Sequence, residues 1–371
     1  MKFIKFSQIL DFQKKTHTKA GDGLGTGEFP FFTSSPILSK YSDSFQFDLP
    51  SLIFGTGGSA SVHICEKPFS VSTDCLVAQL KRTAARKLEI KFVYYYLFGN
   101  IWILERGFKG AGLRHISKGY INNIDIPELP LTDQKRIVQI LDQADVLRQK
   151  RKQTIDLLDD YLKSVFLEMF GNPVKNPRGW KMMELGEISE SRLGKMRDKQ
   201  YITGKYLKPY LGNSNVKWFC FDFLDLPEMD FNEQEQAKYS MNYGDLLVCE
   251  GGEIGRCAIW KGELKDCFFQ KALHRVRTDK NVIISEYLQW VLWFYSKGNA
   301  FIESRSQATI AHLTGAKLKR LTIPVAGLDL QKKFTGVIKQ TEALKQKMFD
   351  QSKELENQFQ ALMQKAFRGQ L

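Results

Sequence analysis

Apolar residues return every three or four positions through Ile140, Ala144, Leu147, Ile155, Leu158, Leu162, Val165 and Met169, with one wider gap around Arg151. Charged and amide side chains fill the places between them. This spacing lines the apolar set along one stripe of a helix. The polar pair Thr132-Asp133 supplies N-cap chemistry where that helix would begin. The pattern recurs at Val337, Leu344, Met348, Leu355, Phe359, Leu362 and Ala366, opened this time by Asp329. Each stretch predicts a helix of roughly 38 residues, a rod of about 55–60 Å at 1.5 Å per residue. Neither rod can bury such a stripe alone, and the economical partner for each is the other. An unrelated partner for each helix is the alternative.

The two stretches are copies. IPELPLTDQKRIVQIL starts at Ile126 and IPVAGLDLQKKFTGVI at Ile323, 197 residues later. Without gaps, residues 126–170 share 11 identities in 45 positions with their counterparts, among them Gln134/Gln331, Lys135/Lys332, Gln143/Gln340, Leu147/Leu344 and Lys150/Lys347. The same register pairs His115 with His312. GNIWILER and GNAFIESR repeat a second motif and pair Arg106 with Arg305. Asp74-Cys75 and Asp266-Cys267 follow Cys65 and Cys257 at one shared interval, as equivalent small buried positions of two related hairpins would. A period this long excludes a solenoid. It predicts a duplicated unit of globular block plus helix. The blocks read as mixed α/β, with strands at Leu52–Phe54, Val62–Cys65, Leu76–Leu80 and Leu246–Cys249 and helices at Ile90–Phe98 and Ser285–Tyr295. The expected class is therefore α+β, a tandem repeat in which two mixed α/β domains alternate with two long helices.

Charge sharpens the picture. The chain of 371 residues carries a net charge of +13, which points to a polyanion such as nucleic acid. Lys and Arg minus Asp and Glu gives +6 for residues 1–125, 0 for 126–177, +4 for 178–322 and +3 for 323–371, so most of the excess lies in the blocks. Six cysteines form no C-x-x-C pair, and Lys5 and Asp11 interrupt the N-terminal apolar stretch. Reduced thiols in a cytoplasmic protein are expected. The longest apolar run, Phe92 to Leu104, has 13 residues and is too short to span a bilayer.

IPELPLTDQKRI, the long helix, the exit LEMFGNPVKNPRGW and the restart at MELGEI together resemble the specificity (S, HsdS) subunit of type I restriction–modification systems. The resemblance covers essentially the whole chain. It implies target-recognition domains at residues 1–125 and 178–322, each reading half of a split site in double-stranded DNA. It implies conserved spacer helices at 126–177 and 323–371, packed as an antiparallel coiled coil in a pseudo-twofold molecule. Partners follow from the same resemblance: methyltransferase (M) subunits, two of them given the duplication, and restriction (R) subunits, in a prokaryotic cytoplasm. The expected docking contacts are Gln134, Lys135 and Arg136 with Gln331, Lys332 and Lys333. The second leader departs from the pattern, with Val325-Ala326-Gly327 in place of Glu128-Leu129-Pro130. Half-sites read from one face of DNA lie about one turn, ~34 Å, apart, and a helical rod suits that task.

Catalytic motifs are missing. No Pro-Pro dipeptide is present for an N/D/S-P-P-aromatic methyltransferase motif, and GGEIGR lacks P-loop spacing. GTGGSA, from Gly55 to Ala60, fits a dinucleotide fingerprint, but SVHICEKP follows where that fingerprint needs a helix. Cys65/Cys75 with His63 and Cys257/Cys267 with His274 match no common zinc spacing. A non-catalytic chain without cofactor or metal is expected. A coiled-coil scaffold with no nucleic-acid role, or a chain with its own methyltransferase or nuclease activity, are the competing classes. Loops rich in glycine, hydroxyls, amides and basic residues are the candidate DNA contacts. In the first block these are Thr33, Ser34, Ser35, Gly57, Gly58, Ser59, Arg106, Lys109, Arg114 and Lys118. In the second they are Asn213, Ser214, Asn215, Gly251, Gly252, Arg256, Arg305 and Gln307. The repeated pairs Arg106/Arg305 and His115/His312 fit phosphate contact or fold maintenance better than base reading, because readers of different half-sites should differ.

Overall fold

The computed structural model describes residues 2–196, 203–298, 300–301 and 312–371. The chain forms two compact units, Met1–Thr154 with Met348–Leu371, and Ile155–Lys347. Both contain the same strand pattern. In the first, Lys2–Lys5 pairs with Asp125–Glu128, and an antiparallel sheet runs Leu10–Phe12, Cys75–Leu80, Ser51–Gly55, Ser61–Cys65. A second sheet runs Lys40–Ser42, Phe29–Phe32, Ser70–Val71. In the second unit the corresponding sheets are Lys181–Glu184 with Thr322–Val325, then Ser189–Leu193, Leu273–Thr278, Leu246–Cys249, Cys257–Ile259. The third is Glu228–Asp230, Leu207–Leu211, Phe268–Phe269. Helices Ile90–Gly99 and Ser285–Lys297 pack on these sheets. The duplication read from the sequence is thus present as repeated topology.

Gly55 to Ala60 closes an antiparallel hairpin between Ser51–Gly55 and Ser61–Cys65, not a strand-to-helix turn. Strand register corrects one inference from the sequence. Cys75 N–H and Leu273 N–H make the same bond, to Ser72 O and Gln270 O, and the residues bonded next to them also correspond. Cys75 is therefore the counterpart of Leu273, and Cys257 that of Val62. The repeated Cys interval is a coincidence of insertion lengths. All four thiols are nevertheless buried, and burial lifts Cys75 to about 11 and Cys267 to about 12. They are neutral packing groups.

The long helices are Leu131–Phe170 and Leu328–Phe367, 40 residues each. In the first unit Ile137, Leu141 and Val138 pack with Phe359, Met363 and Ala366. In the second, Leu162, Phe166 and Phe170 pack with Phe334 and Ile338. The start of each helix thus meets the end of the other, and the pair is antiparallel. Phe166 centres the second contact, 5.0 Å from Phe294 and 5.4 Å from Phe334 between ring centroids. The buried stripe is shifted from the expected one. Leu147 and Leu344 are 56% and 44% exposed. Arg148 takes the inner place, its guanidinium 4.3 Å from the Phe359 ring centroid and 2.8 Å from Glu356. A long cationic stem can cover apolar surface as well as a leucine does, so spacing alone does not select between adjacent phases.

One residue type clamps each block to its helix. Gln134 accepts from Glu89 N–H at 2.9 Å and donates to Lys87 O and Leu129 O at 3.1 and 2.8 Å. Gln331 accepts from Ile284 N–H at 2.8 Å and donates to Val282 O and Ala326 O at 3.1 and 2.8 Å. Both are buried, at 1% and 0% exposure. Their expected place among partner contacts is corrected: these amides are spent inside the chain. Lys135, Arg136, Lys332 and Lys333 beside them are exposed.

Candidate nucleic-acid interface

Three loops converge in the first unit. Ser34 Oγ donates to Asp74 O at 2.8 Å and accepts from Gly57 N–H at 3.4 Å. Gly57 is bridged to His115, whose ring Nδ1 lies 3.1 Å from Thr56 O. Lys109 and His115 exchange backbone hydrogen bonds at 3.0 Å, pinching out the exposed loop Gly110–Arg114. Gly58 sits at φ +76°, a conformation that glycine adopts without strain. Thr33, Ser35, Ser59, Lys109 and Arg114 thus share one end of the unit, with Ser59, Lys109 and Arg114 exposed. Arg106 and Lys118 stand outside this cluster. Arg106 stacks on Trp102 at 4.6 Å and Lys118 lies 5.6 Å from the Phe12 ring. Arg106, Lys109, Arg114 and Lys118 have no ion-pair partner among the described residues, so their charge remains available to a polyanion.

The second unit builds the same place from different side chains. Thr56 N–H bonds Asp74 O and Ile116 N–H bonds Thr56 O; Glu250 N–H bonds Ala272 O and Leu313 N–H bonds Glu250 O. By this register Gly57-Gly58 correspond to Gly251-Gly252, and Ser34 to Asn213. Gly252 repeats the φ of +76°. Asn213 Nδ2 donates to Gly251 O at 3.1 Å, and a Cβ on Gly251 would lie 3.0 Å from His312 Nδ1. The repeated histidines therefore back the glycine loop in both units, which is a structural role. Ser214 is exposed. Arg305 and Gln307 lie outside the described residues.

Two candidates prove internal. Asn215 is 6% exposed; its Oδ1 accepts from Gly212 N–H at 2.9 Å and its Nδ2 donates to Asp222 O at 3.0 Å. Arg256 Nη2 donates to Asn213 O at 2.9 Å and its side chain is only 19% exposed. Its counterpart is Ser61, whose hydroxyl donates to Ser34 O at 3.5 Å. Both residues tie the first loop to the hairpin, so Arg256 positions the loops and is not the free phosphate ligand expected from its charge.

Within the candidate stretch that includes Lys109, Arg114 and Lys118, the segment Gly110–Arg114 projects furthest, and Leu113 at its tip is 82% exposed. Among the described residues no group of three or more His, Cys, Asp or Glu could hold a metal ion, and no helix is long and apolar enough to cross a membrane.

The family model described as "Type I restriction modification DNA specificity domain" matches residues 1–157 and 177–357. The type I restriction enzyme MjaVIII specificity subunit of Methanocaldococcus jannaschii is 25% identical over 68% of this chain; the match spans 63% of that protein, just under two thirds. A putative type I restriction enzyme specificity subunit, S.HindORF215P of Haemophilus influenzae, is 24% identical over 86% of this chain and 81% of its own length. The crystal structure of the type I restriction–modification S subunit from M. genitalium aligns over 98% of this chain and 95% of its own with a TM-score of 0.58, a likeness of fold at 16% identity. Two matches of one domain, on two units of one topology, place this chain in the type I restriction–modification DNA specificity family as a tandem of its specificity domain.

Proposed function

We propose that the chain is the non-catalytic DNA-recognition subunit of a cytoplasmic type I restriction–modification complex. The recognition domains are residues 1–125 and 178–322. Each reads one half of a bipartite double-stranded site through its three-loop end, and the antiparallel helices set the spacing. The observation that carries this reading is the loop constellation built twice on one backbone plan but with different tips. The glycine pair and its histidine recur, while Ser34 is exchanged for Asn213. A shared frame with differing side chains is what reading two different half-sites requires.

Two M subunits dock on the helices, and R subunits join through them. Supporting this, Gln143, Leu147 and Lys150 recur as Gln340, Leu344 and Lys347, and all six are exposed. Arg136 and Lys333 extend the stripe by two turns, both basic and exposed. Positions spaced by seven, four and three lie on one helix face. Residues that recur without serving the core fit a partner that recurs too.

Fluorescence anisotropy on duplex carrying the recognised site tests the DNA role. Lys109→Ala and Arg114→Ala are each expected to weaken binding several-fold at moderate salt and to lower the salt slope by about one. Affinity and slope unchanged in both variants would remove this loop from the interface.

A further inference from the structure

The second unit holds a cleft of about 530 Å³ between its recognition block and the long helices, within the range of small-molecule sites. Trp290, Trp293, Trp218 and Phe219 line it, together with Gln289 and Thr341. The last two are each 6% exposed. Gln289 donates its amide N–H to Cys257 O at 3.2 Å, while its carbonyl oxygen has no partner among the described residues. The Thr341 hydroxyl and the Glu286 carboxylate, also in the lining, likewise have none. The other carboxylates at the mouth are engaged, Glu342 by Lys261 at 2.9 Å and Asp159 by Lys345 at 2.8 Å. Lys339, exposed at the rim, has no ion-pair partner among the described residues.

The duplicated unit separates what the fold needs from what it does not. The matching bonds of Glu89 N–H to Gln134 and Ile284 N–H to Gln331 make Lys91, Tyr94 and Tyr95 the counterparts of Glu286, Gln289 and Trp290. The helix register makes Asp142 and Ala144 the counterparts of Lys339 and Thr341. In the first unit Lys91, Tyr95 and Asp142 satisfy one another. Lys91 bonds Asp142 at 2.9 Å and Glu66 at 3.0 Å, and Tyr95 donates to Asp142 at 2.6 Å. In the second unit the same positions present acceptors that the chain does not use. Buried polar groups left open cost stability unless something occupies them.

We propose that this cleft binds an amino-bearing purine nucleotide. The tryptophan faces suit a flat heteroaromatic ring. The open oxygens of Gln289, Thr341 and Glu286 suit the N–H donors of an exocyclic amine and its edge. Lys339 at the rim suits a phosphate. The ring comes either as a free nucleotide or as a base of a nucleic acid strand, and the chemistry recognised is the same.

Isothermal titration calorimetry of the full chain tests this with adenosine monophosphate, inosine monophosphate and a short single-stranded oligodeoxyadenylate. Saturable binding of adenosine monophosphate identifies a free nucleotide, and binding of the oligonucleotide alone identifies a strand. In either case two controls are expected to weaken binding about tenfold or more: Gln289→Leu, and exchange of the exocyclic amine for a carbonyl in inosine monophosphate or the oligodeoxyinosinate analogue. Thr341→Ala is the fold-safe companion, because Ala144 stands at its counterpart position; it should weaken binding several-fold at an unchanged melting temperature. No saturable heat with any probe, or equal binding of the adenine and hypoxanthine forms that neither variant alters, would overturn the proposal.

Discussion

At the scale of single residues, Gln134 and Gln331 show how far a repeat can be read and where it misleads. Their recurrence was visible in the sequence, but recurrence marks fold and partner contact alike. Only burial and three matching hydrogen bonds assign these two to the fold. Truncating either amide leaves one backbone donor and two acceptors short of partners. Gln134→Ala and Gln331→Ala should each destabilise the chain by about 2–3 kcal/mol, read as a lower denaturant midpoint; a shift no larger than that of a surface substitution would contradict the clamp. His274 offers a second residue-scale test. It is 2% exposed and burial holds its imidazole below the ordinary 6.5, against the opposing charge of Glu250. The unfolded state therefore binds a proton more readily, so stability is complete above pH 6.5 and is lost as pH falls towards the folded value. Leu76 occupies the counterpart position. His274→Leu should flatten the loss of melting temperature between neutral and mildly acidic pH, and an unaltered slope would show that another group carries it.

Among the elements, the long helices, three strands of the first four-stranded sheet and the helices packed on the sheets were legible from periodicity, whereas only Leu246–Cys249 of the second four-stranded sheet was. The phase of the long-helix stripe was not. Arg148 lies half-buried over the Phe359 ring while Leu147 points outward, because stem packing and an ion pair compete with simple apolar burial. Asn215 and Arg256 were misjudged for a related reason: composition marks a loop as polar but does not say whether its polar atoms face water or the loop's own backbone. Charge between block and helix is another feature that only paired units expose. Glu66, Lys91 and Asp142 correspond to Lys261, Glu286 and Lys339, a reversal of sign at all three positions. In the first unit the middle residue bonds both others. Lys91→Glu alone should cost about 1 kcal/mol or more by setting like charges together. Adding Glu66→Lys and Asp142→Lys installs the second unit's polarity and should recover most of the loss in a thermal melt. A triple variant no more stable than the single one would show that the ion pairs do not matter there.

For the whole molecule, the account rests on duplication carried through every level: leader, helix, sheet order, glycine loop and exposed helix stripe. Duplication and the family were legible in the sequence. Which residues read bases was not, because loops of different length reach the same place in the two units and only the backbone hydrogen bonds align them. The most direct test is to co-purify the chain with the methyltransferase subunits of its system and map the modified bases in DNA exposed to that complex. One split motif is predicted, with two half-sites at a fixed spacing, and exchange of the Lys109–Arg114 loop should alter one half only. A contiguous motif, or modification that proceeds identically without the chain, would contradict the two-reader account.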